Sequence, residues 1–306
     1  MQLVIILVMN LIELGQLTEE EARTYLETII WVDQTVCPFC GSTKHYTFKG
    51  KAHRAGLYKC ADCGKQFTVT VNTILHGSHL PIKTWLMAFY LMCSSKKGIS
   101  ALQLQRQLGL GSYHTALSLT HKIRKAMQES PNFCKLFGYV EADETYIGGK
   151  GKGGKRGRGS KAKTPVAGIV QRNGKVRTQV VKRVDADTLK AFVLDNVDKY
   201  AKLITDEWPA YRGLGKEFTF GHAVVNHSQG EYVHGDLSTN WIESFWSLLK
   251  KGIGGVFHHV SVKYLGLYCD EFCFRWNTRK DSDSVRFEQA LRQVIGKRVQ
   301  NSTLVA

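Results

Sequence analysis

Four cysteines constrain this chain more than any other feature. Cys37-Pro-Phe-Cys40 and Cys60-Ala-Asp-Cys63 form a C-x2-C…C-x2-C pattern with 19 residues between the pairs. Two knuckles at that spacing bring four thiolates to the corners of a tetrahedron, the arrangement a structural zinc ion takes. Gly41 and Gly64 each follow a pair, where a tight turn frees backbone N–H groups for the sulfurs. Two redox-active pairs are the competing reading, and the ribbon spacing favours Zn²⁺. Four thiolates close the coordination sphere, so the metal is structural and not catalytic. Eight cysteines in 306 residues are too sparse for a secreted disulfide scaffold, which points to a reducing compartment.

The charge selects the partner. A formal net charge of +16 favours a polyanion over small neutral or cationic metabolites. Residues 31–130 carry 13 basic and 3 acidic side chains. Lys44, His45, Lys49, Lys51, His53, Arg54 and Lys59 lie between the cysteine pairs and suit phosphate contacts. Residues 99–127 have helix-turn-helix form. Ser100 caps a short helix, Gly109-Leu-Gly111 breaks it, and Ser112 starts a second helix carrying His114, Lys122, Arg124 and Lys125. A recognition helix places such side chains in a DNA groove. An ordinary helical hairpin has the same outline; the neighbouring ribbon and basic charge favour DNA. No run approaches the ~20 apolar residues of a membrane span, and the apolar segment 1–9 lacks the flanks of a signal peptide. The expected setting is cytoplasmic, and nucleoid-associated in a bacterial host, with no membrane partner.

Beyond residue 136 the rhythm changes. Residues 138–147, 164–172 and 175–184 alternate as strands, the last two joined by Asn173-Gly174, a hairpin signal. A helix over 187–197, a short strand over 202–205, a further strand near 222–225 and helices near 238–251 and 261–277 follow. The order implies an α/β (α+β) domain with a mixed sheet. Segment 148–163 interrupts it with seven glycines and seven basic residues, among them Lys150, Lys152, Lys155, Arg156 and Arg158. Its charges suit phosphates, and it is expected to close over bound DNA.

In so basic a chain the acids stand out. Asp143 lies in a strand-like run, Asp206 ends another, and Glu243 lies in a helical stretch. Each alone reads as a cap or surface charge. Together they offer the converging carboxylates that two-metal phosphodiester chemistry needs. Asp143 and Glu243 have aromatic neighbours, including Tyr146 and Trp246, and a buried unpaired carboxylate there is costly unless a metal relieves it. Lys250 falls two helical turns after Glu243 on the same face, placed for a phosphate. Asn240 shares that face as an alternative ligand, and Lys251 adds a further DNA-facing charge.

The stretches VEADETYIGGK, ITDEWPAY, HSQGEYVHGDLSTNWIESFWSLLKKGI and VFHHVSVKYLGLYCDEFCFRWNTR resemble the transposases of a group of bacterial insertion sequences related to the Merlin elements of eukaryotes. The ribbon and following helices resemble that group's amino-terminal region, so the resemblance covers roughly residues 30–280. It implies an RNase H-like fold and a DDE-type site using two Mg²⁺ or Mn²⁺ ions. It implies binding to terminal inverted repeats, with end cleavage and joining to target DNA. By motif, Asp143 and Asp206 are the first two acids. The third is Glu243, backed by its seven-residue step to Lys250, with Asn240 as the alternative.

The resulting organisation is a helical segment (1–31), a zinc ribbon (32–79), a helix-turn-helix region (80–130), an RNase H-like DDE domain (136–280) with its basic insertion, and a carboxy-terminal helix and tail (281–306). Pairing two ends implies a homodimer or larger assembly. The rival readings are a DNA-binding regulator with an inactive nuclease domain and a metal-dependent nuclease without strand transfer. His222, His227, His234, His258 and His259 are not needed as bases by two-metal chemistry. Cys93, Cys134, Cys269 and Cys273 read as packing thiols. Glu271, Arg275 and Arg279 step along one face by four, as ion pairing or a DNA-facing edge.

Overall fold

The computed structural model describes residues 9–48, 52–129, 134–148, 163–225 and 238–300. In chain order the elements are α1 (Leu11–Gln16), α2 (Glu19–Ile30), β1 (His45–Thr47), β2 (Tyr58–Cys60), β3 (Gln66–Phe67), α3 (Ile82–Ser94), α4 (Ala101–Leu108) and α5 (Tyr113–Met127). Then come β4 (Tyr139–Ile147), β5 (Thr164–Gln171), β6 (Val176–Val180), α6 (Ala186–Asn196), β7 (Lys202–Asp206), β8 (His222–Val225), α7 (Asn240–Gly252), α8 (Leu265–Asn277) and α9 (Asp283–Arg292). Two compact units emerge. One takes the chain up to Gln128 together with everything from Asp281 onward; the other takes 129–280.

The first unit begins with capped helices. The Thr18 hydroxyl accepts the N–H of Glu21, and the Glu21 carboxylate accepts the N–H of Thr18 at 2.8 Å. This reciprocal box fixes the start of α2. α3 buries Trp85, Leu86, Ala88, Phe89, Met92 and Cys93. The carboxy-terminal α9 returns to this unit: Phe287 stacks on Tyr25 and meets Tyr90 edge-on at 5.7 Å. A terminal helix thereby becomes part of the amino-terminal core. Ser100 and Ser112 cap α4 and α5, and Gly109 closes α4 in the left-handed conformation. That is the break the sequence announced.

The ribbon is a three-stranded antiparallel sheet, β1-β2-β3. Trp31, Tyr58 and Phe67 pack with Cys37 and Cys60, so a small aromatic core seals one side of the cysteines.

The second unit holds a five-stranded sheet in the order β6-β5-β4-β7-β8. β4, β5 and β6 are antiparallel neighbours, while β7 runs parallel to β4 and β8 parallel to β7. This mixed sheet is the one the element order predicts, and it fits the RNase H-like fold that the resemblance implies. The 171–175 hairpin closes with Asn173 at φ 58°, and the N–H of Gln171 donates to Lys175 O at 2.8 Å. Strand alternation divides β4 between two cores. Val140 and Ala142 pack with Leu189, Phe192 and Val193 of α6. Ile147 packs on the other face with Ile242, Phe245, Trp246 and Leu249 of α7 and Cys269, Phe272 and Trp276 of α8. The four α7 residues recur at helical spacing, and each fully buried side chain contributes ~1.5–3 kcal/mol. Gly252 is required where α7 meets α8: a Cβ there would lie 2.0 Å from Phe272.

Candidate active site and metal centre

The cysteines converge. Cys37 and Cys63 sulfurs lie 3.7 Å apart, Cys40 and Cys60 sulfurs 3.5 Å apart, and all four fall within 4.8 Å of one another. A tetrahedron with Zn–S bonds of ~2.3 Å has sulfur–sulfur edges of about 3.8 Å. The donor set therefore fits a structural zinc ion. The backbone N–H of Cys63, directed at the Cys60 sulfur from 3.5 Å, is the main cause holding that thiol down at about 6, which favours the thiolate a metal needs.

The acidic site is assembled from distant segments. In the parallel pairing of β4 with β7, Glu141 faces Ile204 and Ala142 faces Thr205. One step further, Asp143 and Asp206 sit side by side at the strand ends. By the same alternation Glu141, Asp143 and Asp206 face the layer formed by α7 and α8. Asp143 is pushed up to about 7, first by burial, then by the negative charges of Glu144 and Asp206. Two carboxylates crowded in this way repel unless a cation lies between them. The donor chemistry fits a divalent ion.

α7 is fastened to β4 and its neighbour β5 at three points. The Trp246 indole N–H donates to Asp143 Oδ2 at 3.0 Å. The Trp246 ring lies over Gly168, the β5 partner of Asp143, where a Cβ would come within 2.5 Å of the indole. Glu141, with no exposed surface, accepts the N–H groups of Trp241 and Ile242 at 2.9 and 3.1 Å. A carboxylate at a helix N-terminus is favoured by the unsatisfied N–H groups there. Burial still raises the Glu141 carboxyl, against the pull of the Ile242 N–H and of Arg172. Arg172 binds Glu141 at 2.9 Å and also donates to the backbone and side-chain oxygens of Ser238.

Asn240, Glu243, Lys250 and Lys251 are exposed on α7, with Glu243 one turn before Trp246. The Glu243 carboxylate accepts the Thr239 hydroxyl at 3.1 Å. Asp143 and Asp206 are thus brought together, and Glu243 rides on the helix that docks against them. Among the described residues, only the cysteine quartet forms a tight group of three or more potential metal ligands.

The proposed DNA contacts on α5 divide. His114 is exposed and Lys125 half-buried, bonded to Gln128, while Lys122 and Arg124 are buried. Lys150, Lys152, Lys155, Arg156 and Arg158 lie outside the described residues, as do His227 and His234. His222 faces Thr205 at 2.8 Å. Cys134, expected to pack, is exposed. Arg275 pairs with buried Glu271 at 2.6 Å, and Arg279 lies over the Trp276 and Trp241 rings. The 271–279 row is therefore ion-paired and stacked. Glu141, Arg172 and Gly168 were not singled out by sequence reasoning. Glu141 carried a signal: it stands two residues before Asp143 and so shares its strand face.

Residues 135–277 match the model of the ISXO2-like transposase domain, and residues 17–66 that of the transposase zinc-ribbon domain. The chain is also 27% identical over 249 residues to an uncharacterized protein in transposable element ISH50 of Halobacterium salinarum. That match covers 76% of this chain and 83% of the relative. No described helix is long and apolar enough to cross a membrane. With its cysteine ribbon and mixed sheet, the chain carries a transposase zinc ribbon followed by an ISXO2-like transposase domain, and it is similar to an insertion-sequence protein.

Proposed function

We propose that the chain cuts DNA at the ends of its element and joins the freed 3′-hydroxyl to target DNA. The carrying observation is the side-by-side placement of Asp143 and Asp206 beneath α7, with Asp143 raised to about 7 by burial and by its acidic neighbours. Mg²⁺ or Mn²⁺, as two ions, would supply charge neutralisation and Lewis acidity for phosphodiester exchange. Asp143 and Asp206 are the ligands, with Glu243 as third and Asn240 as its alternative. Trp246 fixes the Asp143 carboxylate through its indole N–H. Glu141 holds the first turn of α7, so Asn240 and Glu243 keep their place relative to the strand. Lys250 and Lys251, exposed on that helix, bind the DNA backbone.

In the first reaction water opens a phosphodiester at the element end and leaves a 3′-hydroxyl. In the second, that hydroxyl attacks a target phosphodiester in line, one P–O bond forming as another breaks, with no covalent protein intermediate. The ribbon and the helix-turn-helix region recognise the terminal inverted repeats, and the seven basic residues of segment 148–163 add charge for DNA phosphates. Two ends are paired by a dimer or larger assembly.

The test is a cleavage and strand-transfer assay on DNA carrying the element's own ends, comparing wild type with Asp206→Asn, with Mg²⁺ and with chelator. Metal-dependent joining lost in the variant is expected. Cleavage without joining would reduce the protein to a nuclease. End binding without cleavage in either protein would leave only a DNA-binding regulator.

A further inference from the structure

Lys122 is out of balance with its surroundings. It is only 6% exposed, although it sits in a basic run with Arg124 and Lys125. Its ammonium lies 6.0 Å from the centre of the Trp85 ring. Among the described residues no carboxylate pairs with it, and burial holds it below the ordinary lysine range. An ammonium withdrawn from water without a counter-charge is costly.

The side chain opens onto a cleft of about 310 Å³, bordered also by Ser78, His79, Trp85, His114 and Thr115. Among the described residues, no acidic side chain lines it. Ser78 Oγ accepts the Trp85 indole N–H at 2.9 Å and the Leu80 N–H at 3.1 Å. Its own O–H is therefore the part left to donate. His79 and His114 are exposed at the rim. The field here is positive: after burial, the charges of Arg298 and Lys122 hold the His76 imidazole below the ordinary histidine range.

We propose that this cleft is a phosphate pocket, in which Lys122 and Ser78 receive one backbone phosphate of the duplex bound by the helix-turn-helix region. This rests on the reading of that region as DNA-binding. The pocket gives Lys122 a role a groove-reading side chain does not have. It positions the duplex from beneath α5 and carries no sequence information.

The test uses the full-length, zinc-loaded protein with two probes: a duplex of the element's own end, and inorganic phosphate against chloride at equal ionic strength. Lys122→Met keeps the apolar stem beside Trp85 and removes the charge. Its end binding is expected to weaken about tenfold, with the salt slope shallower by about 0.9, the change for one lost phosphate contact. Lys122→Arg is expected to restore most of the affinity. Phosphate is expected to raise the Tm of wild type and not of Lys122→Met. If Lys122→Met binds the end with wild-type affinity and slope, the pocket is refuted while DNA binding stands. If wild type does not bind the end, the DNA-binding reading fails, and the phosphate shift alone decides the pocket: a shift lost in the variant supports it, no shift ends it. Should Lys122→Met fail to fold, Ser78→Ala, which removes the other phosphate donor, carries the same two measurements. An unchanged affinity and an unchanged phosphate shift in that variant would overturn the proposal.

Discussion

The cysteine quartet and the carboxylate pair both gather metal-ligand atoms, and they are assembled in opposite ways. The cysteines come from two knuckles within 27 residues, Cys37 to Cys63, and a three-stranded ribbon suffices to bring them together. The acids come from β4 and β7, with α7 added from a hundred residues further on. The first site is closed by four thiolates, so its metal holds the fold. The second crowds its charges: Asp143 is buried against Glu144 and Asp206 and rises to about 7. The ribbon site is completed by its own short stretch, whereas the carboxylate pair is held together by the rest of the domain.

Removing the zinc gives the largest expected effect. Structural zinc contributes ~10–16 kcal/mol of apparent folding free energy in small ribbons. Chelation, or Cys60→Ser, is expected to accelerate amide exchange through 37–67 while the five-stranded sheet stays protected. Equal acceleration in both would mean that the two sites are not independent.

Asp143→Asn tests the opposite side of the comparison. Cleavage is expected to fall by about 10³-fold or more, yet the Tm should hold or rise, because a buried repelling charge is removed. A large drop in Tm would make Asp143 a structural residue like the cysteines.

Glu141→Gln separates positioning from ligation. Breaking the buried Glu141–Arg172 pair is expected to cost ~3–5 kcal/mol in thermal unfolding, with zinc content unchanged. Cleavage should fall as α7 loosens, and Glu141→Asp should recover part of it. Full activity in the Gln variant would show that α7 holds its place without the clamp. The smallest effect is Gly168→Ala, which crowds the Trp246 indole at a cost of ~1–3 kcal/mol. Trp246 fluorescence should report its displacement from Asp143, and an unchanged spectrum would remove the indole from the account of that carboxylate.

Legibility followed distance along the chain. The ribbon, the caps at Thr18, Ser100 and Ser112, and the break at Gly109 were readable because each depends on neighbours a few residues away. The strands and helices of the second unit were readable from their periods. Asp143 and Asp206 stood out because acids are scarce in a chain of net charge +16. Glu141 was passed over although strand alternation places it on the face of Asp143, since nothing local shows that a helix N-terminus will arrive there. The burial of Lys122 and Arg124 was equally hidden: a basic residue on a helix looks exposed until the neighbours that cover it are known.

By itself the sequence determined the metal chemistry of the ribbon and the mixed α/β order, and it singled out the candidate acids, because spacing, periodicity and charge are properties of short stretches. Only the tertiary structure decided which β strands lie side by side, that Glu141 and Trp246 lock α7 to the carboxylate strand, and that α9 completes the first core. Those depend on contacts between residues far apart in the chain, and no local pattern encodes which partner a buried carboxylate will find.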